Sequence, residues 1–178
     1  MIRRATASDA LAISEMIDAN ARAGNTSLLE RPLSDIERLI DDFHLAEVDG
    51  QMVGCAALHA VSPDLAEIRS VAVNNEYRGN GLGSRLVESM LSEARTTDLA
   101  RVFMLVKSGG AMSALGTRLG FSEVPMDDLP HKVWTDCLNC PKYSNCDEIA
   151  LLLTLDPSRV PADIIADSLP LPPKHLSS

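Results

Sequence analysis

The stretch Val71-Ala72-Val73-Asn74-Asn75-Glu76-Tyr77-Arg78-Gly79-Asn80-Gly81-Leu82-Gly83-Ser84-Arg85-Leu86 contains an apolar strand, a glycine-rich turn and the start of a helix. Glycine permits positive φ and a close approach of the backbone to a ligand. The free N–H groups of the first helical turn point to one spot, where the helix dipole also favours negative charge. We therefore predict an anion-binding turn here, suited to a pyrophosphate.

A G-x-G spacing alone is weak evidence for a particular ligand, because several glycine-rich motifs contain it. A dinucleotide fingerprint, G-x-G-x-x-G, that began at Gly79 would require glycine at Ser84. The lysine of a P-loop is also missing. Arg-x-x-Gly-x-Gly does occur, at Arg78, Gly81 and Gly83, directly after the strand. A purely structural turn stays open as the alternative.

The sequence around the turn predicts a mixed α/β (α+β) fold, with a central sheet that carries helices on both faces. Ser8 is the expected N-cap of the first helix, and Asp49-Gly50 indicates a hairpin between two strands. The predicted strands are 1–5, 44–48, 51–61, 66–73, 101–106, 121–124 and 148–155. The predicted helices follow Ser8, cover 33–43, follow the glycine turn and cover 111–119.

Length and proline content predict one domain and a tail. Residues 1–155 are expected to form the domain, with a cysteine-bearing insertion at 127–147 between the last two strands. Residues 156–178 hold five of the ten prolines and are expected to form a flexible tail.

The composition excludes some classes of function. The net charge is -9, from 16 basic and 25 acidic residues, which argues against a general nucleic-acid binder and weakly against anionic membranes. No stretch approaches the roughly 20 apolar residues that a membrane helix needs. Acidic residues near the N-terminus interrupt any signal-peptide core, so we expect a cytoplasmic protein.

The strand and turn together resemble the coenzyme A signature of the GNAT superfamily of N-acetyltransferases. The resemblance implies acetyl-CoA as co-substrate and a strand that splays from its neighbour at 101–106. The implied cofactor-binding residues, which act largely through their backbone, are Val71, Ala72, Val73, Arg78, Gly79, Asn80, Gly81, Leu82, Gly83 and Ser84.

Acetyl transfer to an amine needs a proton acceptor, because only the free base attacks a thioester. Glu67 lies on the strand that leads into the turn and is our choice of general base. With strict alternation, Glu67, Arg69, Val71 and Val73 would share one face, so a base, a cation and the thioester-binding backbone would line one wall. An exposed Glu67–Arg69 surface pair is the alternative.

Further stretches, at 28–33, 53–59, 64–73 and 129–150, together resemble the short single-domain bacterial N-acetylglutamate synthases of the GNAT type. The implied reaction acetylates the α-amino group of L-glutamate, the entry step of arginine biosynthesis. A dicarboxylate needs cations, and Arg31, Arg69 and Lys132 are the expected substrate-binding residues, with a solvated surface role as the alternative for Arg31 and Lys132. His59 is more often a satisfied edge histidine than a catalyst. A homodimer stays open as a possible assembly.

The chain departs from the superfamily pattern where a general acid is often found. An asparagine and, seven residues later, a tyrosine commonly precede the Leu-Gly-Phe ending, but Gly109 and Gly116 stand there. Tyr143, water or unassisted departure of the thiolate would have to serve instead. A different amine acceptor, or a non-catalytic module that senses acetyl-CoA or a metal, therefore stays open.

Three cysteines stand at Cys137-x-x-Cys140-x5-Cys146 in the insertion. With His131 they match the ligand types and CxxC spacing of a tetrahedral zinc site. We interpret these three cysteines as metal-free thiols, with a zinc site as the alternative. The insertion is expected to cover the acceptor site.

Overall fold

A computed structural model of the chain describes residues 1–24, 28–130, 137–138 and 140–160. The strands are β1 Ile2–Arg4, β2 Phe43–Val48, β3 Gln51–Ser62, β4 Leu65–Val73, β5 Arg101–Lys107, β6 Ser122–Val124 and β7 Glu148–Thr154. The helices are α1 Ala10–Arg22, α2 Leu33–Arg38, α3 Leu82–Ala94 and α4 Ala111–Arg118. The strands form one seven-stranded sheet in the order β1-β2-β3-β4-β5-β7-β6.

Local sequence explains the β2–β3 hairpin. Asp49 and Gly50 both have positive φ, of 50° and 76°. A two-residue turn of this kind matches the twist of the flanking strands, and Asp-Gly tolerates it best. The hairpin prediction is confirmed.

Helices cover both faces of the sheet, as predicted. One apolar cluster packs α3 and α4 against the sheet, through residues such as Leu86, Met90, Leu115, Ala56, Leu58, Ile68 and Met104. The other packs α1 and α2 against the opposite face, through residues such as Ile13, Ile17, Ile36, Cys55, Ala57 and Ala72. The mixed sheet flanked by helices is therefore confirmed.

Two local predictions about helices were wrong. The helix predicted at 33–43 ends at Arg38, and Phe43 already belongs to β2, where it pairs with Ala57 of β3. Pairing with β3 overrides the helical spacing of the apolar residues. The N-cap of α1 is Asp9 rather than Ser8, and Thr6 caps the preceding 3-10 turn, where its N–H donates to the Asp9 carboxylate at 2.8 Å. Ser8 lies inside the 3-10 turn Ala7–Asp9 that precedes α1.

The sheet opens between β4 and β5. These parallel strands pair only at Leu65–Arg101, Ala66–Val102 and Glu67–Phe103. Beyond that point β5 stays paired with β7 as far as Lys107, while β4 stays paired with β3 as far as Val73. The two strands therefore diverge toward their C-terminal ends, as the resemblance implied.

The closed end of this divergence is held by a largely buried ion pair. The Arg101 guanidinium donates to the Asp64 carboxylate at 2.6 Å, and the backbone N–H of Arg101 donates to the Asp64 carbonyl. Burial raises the pKa of Asp64, but hydrogen bonds from Ser62 and Arg101 and the charge of Arg101 leave that pKa below its ordinary value. The strands are thus fixed together at one end and free to part at the other.

A β-bulge changes which residues of β4 share a face. Arg69 pairs with Ala57, and Ala72 pairs with Cys55, so Ser70 and Val71 together oppose the single residue Ala56. Ser70 takes a positive φ of 54° at this bulge. The extra residue shifts the alternation by one position.

The predicted common face of Glu67, Arg69, Val71 and Val73 was therefore wrong. Glu67 and Arg69 lie on the face covered by α1 and α2, whereas Val71 and Val73 pack against the cluster of α3 and α4. Sequence alternation alone gives no sign of such a bulge.

The described residues contain no helix that is both long and apolar enough to cross a membrane. After β7 the chain forms a 3-10 turn at Pro157–Arg159, and Arg159 contacts the Asp98 carboxylate at 3.2 Å. The division into a domain of 1–155 and a flexible tail stays a prediction.

Candidate active site

The glycine turn forms the N-terminus of α3. Gly81 is the N-cap of this helix with φ 74°, and Gly79 has φ 80°. The Arg85 N–H donates to the Gly81 carbonyl at 3.0 Å and is the first donor within the helix. The N–H groups of residues 82–84 precede it, and such groups have no acceptor inside their own helix. They are available to a ligand.

Gly83 differs from the two preceding glycines. Its φ is not positive, and a Cβ built there would meet no heavy atom of the described chain within 4 Å. Neither backbone conformation nor packing therefore requires glycine at this position. Gly83 lines a cleft, so the absent side chain leaves space on the side where a ligand would lie.

Arg78 braces the turn instead of extending into solvent. Its Nε donates to the Val73 carbonyl at 3.3 Å, and its Nη2 donates to the Oδ1 of Asn20 on α1. Asn20 is buried and donates through its Nδ2 to the Met16 carbonyl at 2.9 Å. Arg78 thus ties the turn to both β4 and α1, which positions the amides of the turn.

A cleft of about 450 Å³ lies over the turn, between α3 and α4. Arg118 of α4 borders it and donates through Nη2 to the Ser84 hydroxyl at 3.0 Å. A guanidinium therefore faces the first turn of α3 across the cleft. Together with the helix dipole it makes this region favourable for phosphate groups.

A second cleft of about 150 Å³ fills the divergence between β4 and β5. It shares Val71, Ala111 and Met112 with the cleft over the turn. Its walls consist of apolar side chains and of the facing edges of β4 and β5, which do not pair with each other beyond Glu67 and Phe103. The two clefts therefore form one groove, from the glycine turn to the divergence, which suits a long, thin ligand with a phosphate at one end.

A third pocket of about 130 Å³ lies at the inner end of this groove and contains Glu67, Arg69 and Arg31. It shares Leu28, Arg69, Ser70 and Leu105 with the divergence. Glu67 is the last β4 residue paired with β5, so it stands where the strands part. The pocket, which we call the acceptor pocket, meets the groove at that point.

Glu67 and Arg69 do not form an exposed surface pair. Their side chains are only 15% and 11% exposed, with Arg69 Nη1 and Glu67 Oε2 3.5 Å apart. Glu148, at the start of β7, adds a second carboxylate to the acceptor pocket. The sequence offered no signal for Glu148, because nothing in the chain order places residue 148 beside residue 67.

Cys137 and Cys140 also line the acceptor pocket. Burial, then the charge of Glu148 and of the neighbouring thiols, raises the pKa of Cys137 to about 11. This thiol is therefore neutral near pH 7. Within the part of the chain that the structure describes, no group of three His, Cys, Asp or Glu side chains is placed to hold a metal ion. His131 lies outside the described residues.

Backbone conformation and packing explain why glycine occupies the two positions where a general acid was expected. Gly109 has a positive φ of 67°. A Cβ at Gly116 would lie 2.6 Å from Leu151 Cδ1 and 3.0 Å from Met104 Cε, so α4 packs closely on the sheet there. The Tyr143 hydroxyl is buried and has no hydrogen-bond partner among the described residues. It is not among the residues that line the three clefts.

The structure thus brings together most of the predicted site residues. Val71, Val73, Arg78, Gly79, Gly81, Leu82, Gly83 and Ser84 line the groove, and Arg31, Glu67 and Arg69 line the acceptor pocket. Ala72 instead packs against α1, and Asn80 is exposed, with its Nδ2 3.4 Å from the Tyr77 carbonyl. Lys132 lies outside the described residues. Sequence reasoning missed Asn20 of α1, Met112 and Arg118 of α4, and Glu148 of β7, which come from three different elements.

Comparisons with known proteins agree with this geometry. The sequence profile described as Acetyltransferase (GNAT) family matches residues 13–121. The chain is 38% identical over 154 residues, 86% of its length and 96% of the relative, to a Chlorobaculum tepidum protein named Uncharacterized N-acetyltransferase CT2212. It is 33% identical over 171 residues to the amino-acid acetyltransferase of Mycobacterium tuberculosis, covering 94% and 91% of the two chains.

A solved structure shares the fold and contains the cofactor. N-acetylglutamate synthase from Neisseria gonorrhoeae, complexed with coenzyme A and N-acetyl-glutamate, matches with a TM-score of 0.74 at 29% identity, over 87% of this chain and 35% of that one. The co-substrate here is acetyl-CoA, and the reaction is N-acetyl transfer. The groove, the glycine turn and these matches together establish that the chain belongs to the acetyltransferase (GNAT) family.

Proposed function

We propose that this acetyltransferase acetylates the α-amino group of an amino acid, L-glutamate, by direct attack on acetyl-CoA in a ternary complex. The observation that carries the proposal is the junction between the groove and the acceptor pocket. Glu67 stands at this junction, and Arg69 and Arg31 line the pocket beyond it. Both substrates would therefore reach the same point at once, without a covalent enzyme intermediate.

The residues at the junction match the needs of the reaction. Glu67 accepts a proton from the acceptor ammonium, and the free amine attacks the thioester carbonyl. Backbone groups at the Ser70–Val71 bulge, turned away from the β3 ladder, would stabilise the oxyanion. The carbon–sulfur bond then breaks, and the thiolate takes up a proton from the attacking nitrogen or from water. Glu67 is the proposed catalytic base.

The acceptor pocket has charges that suit a glutamate zwitterion. A carboxylate recognises the ammonium, and two guanidinium groups recognise carboxylates, preferably as bidentate partners. Glu67, Arg69 and Arg31 supply this set. The M. tuberculosis relative is named an amino-acid acetyltransferase and the N. gonorrhoeae neighbour an N-acetylglutamate synthase, which supports the same acceptor class.

A second candidate acceptor is a diamine or a basic amino acid. The observation in its favour is Glu148, which places a second carboxylate in the acceptor pocket beside Glu67. Two carboxylates would suit an acceptor with two ammonium groups. The two candidates differ in the charge of the far end of the acceptor, so matched substrates separate them.

The experiment measures coenzyme A thiol released from acetyl-CoA with glutamate, glutamine, aspartate or ornithine. Glutamine is the matched control, because it differs from glutamate only in the charge and donors of the side-chain end. Hydrogen bonds to charged groups are worth about 1.5–3 kcal/mol, so we expect kcat/KM for glutamate to exceed that for glutamine by about 10- to 100-fold.

A preference for ornithine would support the second candidate and overturn the first. If no thiol is released with these amines or with any other primary amine tested, the catalytic proposal is overturned. A melting shift with acetyl-CoA in that case would leave a binding module.

A further inference from the structure

Acetylation of an ammonium releases one proton for each turnover. The three ammonium hydrogens are divided between the amide, the new thiol and the solvent. If Glu67 takes the first proton, as proposed above, it must return to its ionised form before the next cycle. Its side chain is only 15% exposed, so the proton needs a route to the surface.

We propose that His59 and Asp42 form a proton-exit relay behind Glu67. His59 of β3 pairs directly with Glu67 of β4 in the sheet register. Side chains of directly opposed residues lie on the same face, with Cβ atoms about 4.5–5.5 Å apart. His59 therefore lies next to the proposed base, on the side away from the groove.

The second member of the relay, Asp42, contacts His59 and is also partly exposed. The His59 Nδ1 lies 2.7 Å from Asp42 Oδ2, where the 3-10 turn Ile40–Asp42 leads into β2. The exposed fraction of the side chain is 30% for His59 and 25% for Asp42, against 15% for Glu67. Accessibility thus increases from the base to the histidine and its partner, which is the direction in which the proton must move.

The hydrogen bond to Asp42 also gives His59 the chemistry of a relay. With Nδ1 occupied by Asp42, Nε2 is the nitrogen that can accept a proton from Glu67 across one water. The Asp42 carboxylate accepts the Nδ1 hydrogen and holds the ring in place while Nε2 carries the transferred proton. The proton then leaves to solvent or buffer, and the neutral tautomer with the proton on Nδ1 returns.

Other charges face the same region. Arg69 lies two residues along β4 from Glu67, and it shares a small pocket with Asp42, Arg31 and Asp35. Of the two nearby carboxylates, Asp42 contacts the imidazole and Glu67 lies opposite His59 in the sheet register. His59 acts through Glu67 and touches neither substrate in this arrangement, so its role is positioning of the proton path rather than catalysis.

The test compares His59→Ala with His44→Gln. His44 is the matched control, since it also pairs with a carboxylate, Glu93 at 2.8 Å, but belongs to the opposite face of the sheet. Melting temperatures are measured first, so that only folded variants are compared. kcat and KM for acetyl-CoA are then measured in weak buffer, with the best acceptor, with and without added imidazole.

Positioned proton transfer contributes about 10²- to 10⁴-fold, and the relay carries only the return step, so we expect kcat of His59→Ala to fall by about tenfold. KM for acetyl-CoA should stay unchanged, and added imidazole should restore kcat. His44→Gln should show neither the fall nor the response. An unchanged kcat in weak buffer, or a fall that imidazole does not reverse, would overturn the relay.

A second readout does not depend on turnover. The ¹⁵N resonances of the His59 ring should shift when Glu67 is replaced by Gln, and those of the His44 ring should not. If the His59 resonances stay in place, the relay is overturned. An absence of turnover with any amine, by contrast, would overturn the proposed function. Turnover with an amine other than glutamate would change only the acceptor, since every ammonium releases the same proton.

Discussion

Replacing Gly83 by alanine should separate fold stability from acetyl-CoA binding. Gly83 lies in the first turn of α3 without a positive φ, and a Cβ there meets no heavy atom of the described chain within 4 Å. Alanine therefore fits the folded chain. The same methyl group would project into the cleft where the phosphates are expected. The substitution should stabilise the protein and weaken its cofactor binding.

Both magnitudes follow from the structure. Glycine is about 1 kcal/mol less favourable than alanine in a helix interior, and less so in the first turn, so we expect a gain of about 0.5–1 kcal/mol. For a chain of this size that raises Tm by roughly 1–4 °C. Losing one amide–phosphate hydrogen bond costs about 1.5–3 kcal/mol, which weakens acetyl-CoA binding by about 10- to 100-fold.

Two other glycines are controls with different expected signs. Gly50→Ala, in the β2–β3 hairpin, places a side chain at φ 76° and should cost about 1–2 kcal/mol of stability with no change in acetyl-CoA affinity. Gly81→Ala, at φ 74° and lining the cleft, should lose both stability and affinity. These three variants therefore give three different pairs of outcomes.

The assay combines thermal unfolding without ligand and titration calorimetry with acetyl-CoA. Gly83→Ala should melt at or above the wild-type temperature and bind at least about tenfold more weakly. Wild-type affinity in a stable Gly83→Ala variant would refute the reasoning, because the phosphates could then not approach residue 83. Such a result would move the phosphate site away from the N-terminus of α3.

Two more predictions concern the base and the closed end of the strand divergence. Glu67→Gln should lower kcat by about 10²-fold or more while acetyl-CoA binding stays within about twofold of wild type, measured by steady-state kinetics and calorimetry; an unchanged kcat would remove Glu67 from the mechanism. Asp64→Asn should destabilise the fold at pH 7, since hydrogen bonds from Ser62 and Arg101 hold the pKa of Asp64 below its ordinary value. A carboxylate with a lowered folded pKa contributes stability above its unfolded pKa of about 3.9 and loses that contribution as pH falls through its folded pKa. Denaturation at pH 7 and at successively lower pH values below the unfolded pKa of about 3.9 should therefore show a wild-type advantage that shrinks with acid, and a constant difference would contradict this account.

The groove could be predicted from local sequence because its chemistry is local. A strand, a turn with glycines at Gly79 and Gly81, and an amphipathic helix are all encoded within residues 71–94. Positive φ at those two glycines and free amides at the helix start need no distant partner. The hairpin at Asp49-Gly50 was predictable for the same reason.

The acceptor pocket was only partly predictable, because its residues are distant in the chain. Arg31, Glu67 and Glu148 come together only when the segment before α2, β4 and β7 pack around the divergence. Glu67 and Arg69 were identified because they share a strand with the turn. Glu148 and Arg118 were not, since each lies on an element whose position depends on sheet order.

The β4 bulge is a feature that the alternation of residues along a strand cannot predict. Alternation along a strand is a property of its own residues, and it placed Glu67 and Val71 on one face. The bulge arises between strands, where Ser70 and Val71 together oppose Ala56, and it moves Val71 to the other face. The order of elements and the phosphate turn were therefore readable from residue pattern, because both depend on neighbours in the chain. The meeting of Glu67 with the groove could be seen only in the tertiary structure. It depends on strand register and on the divergence of β4 from β5, and both arise from contacts between strands that residue order does not encode.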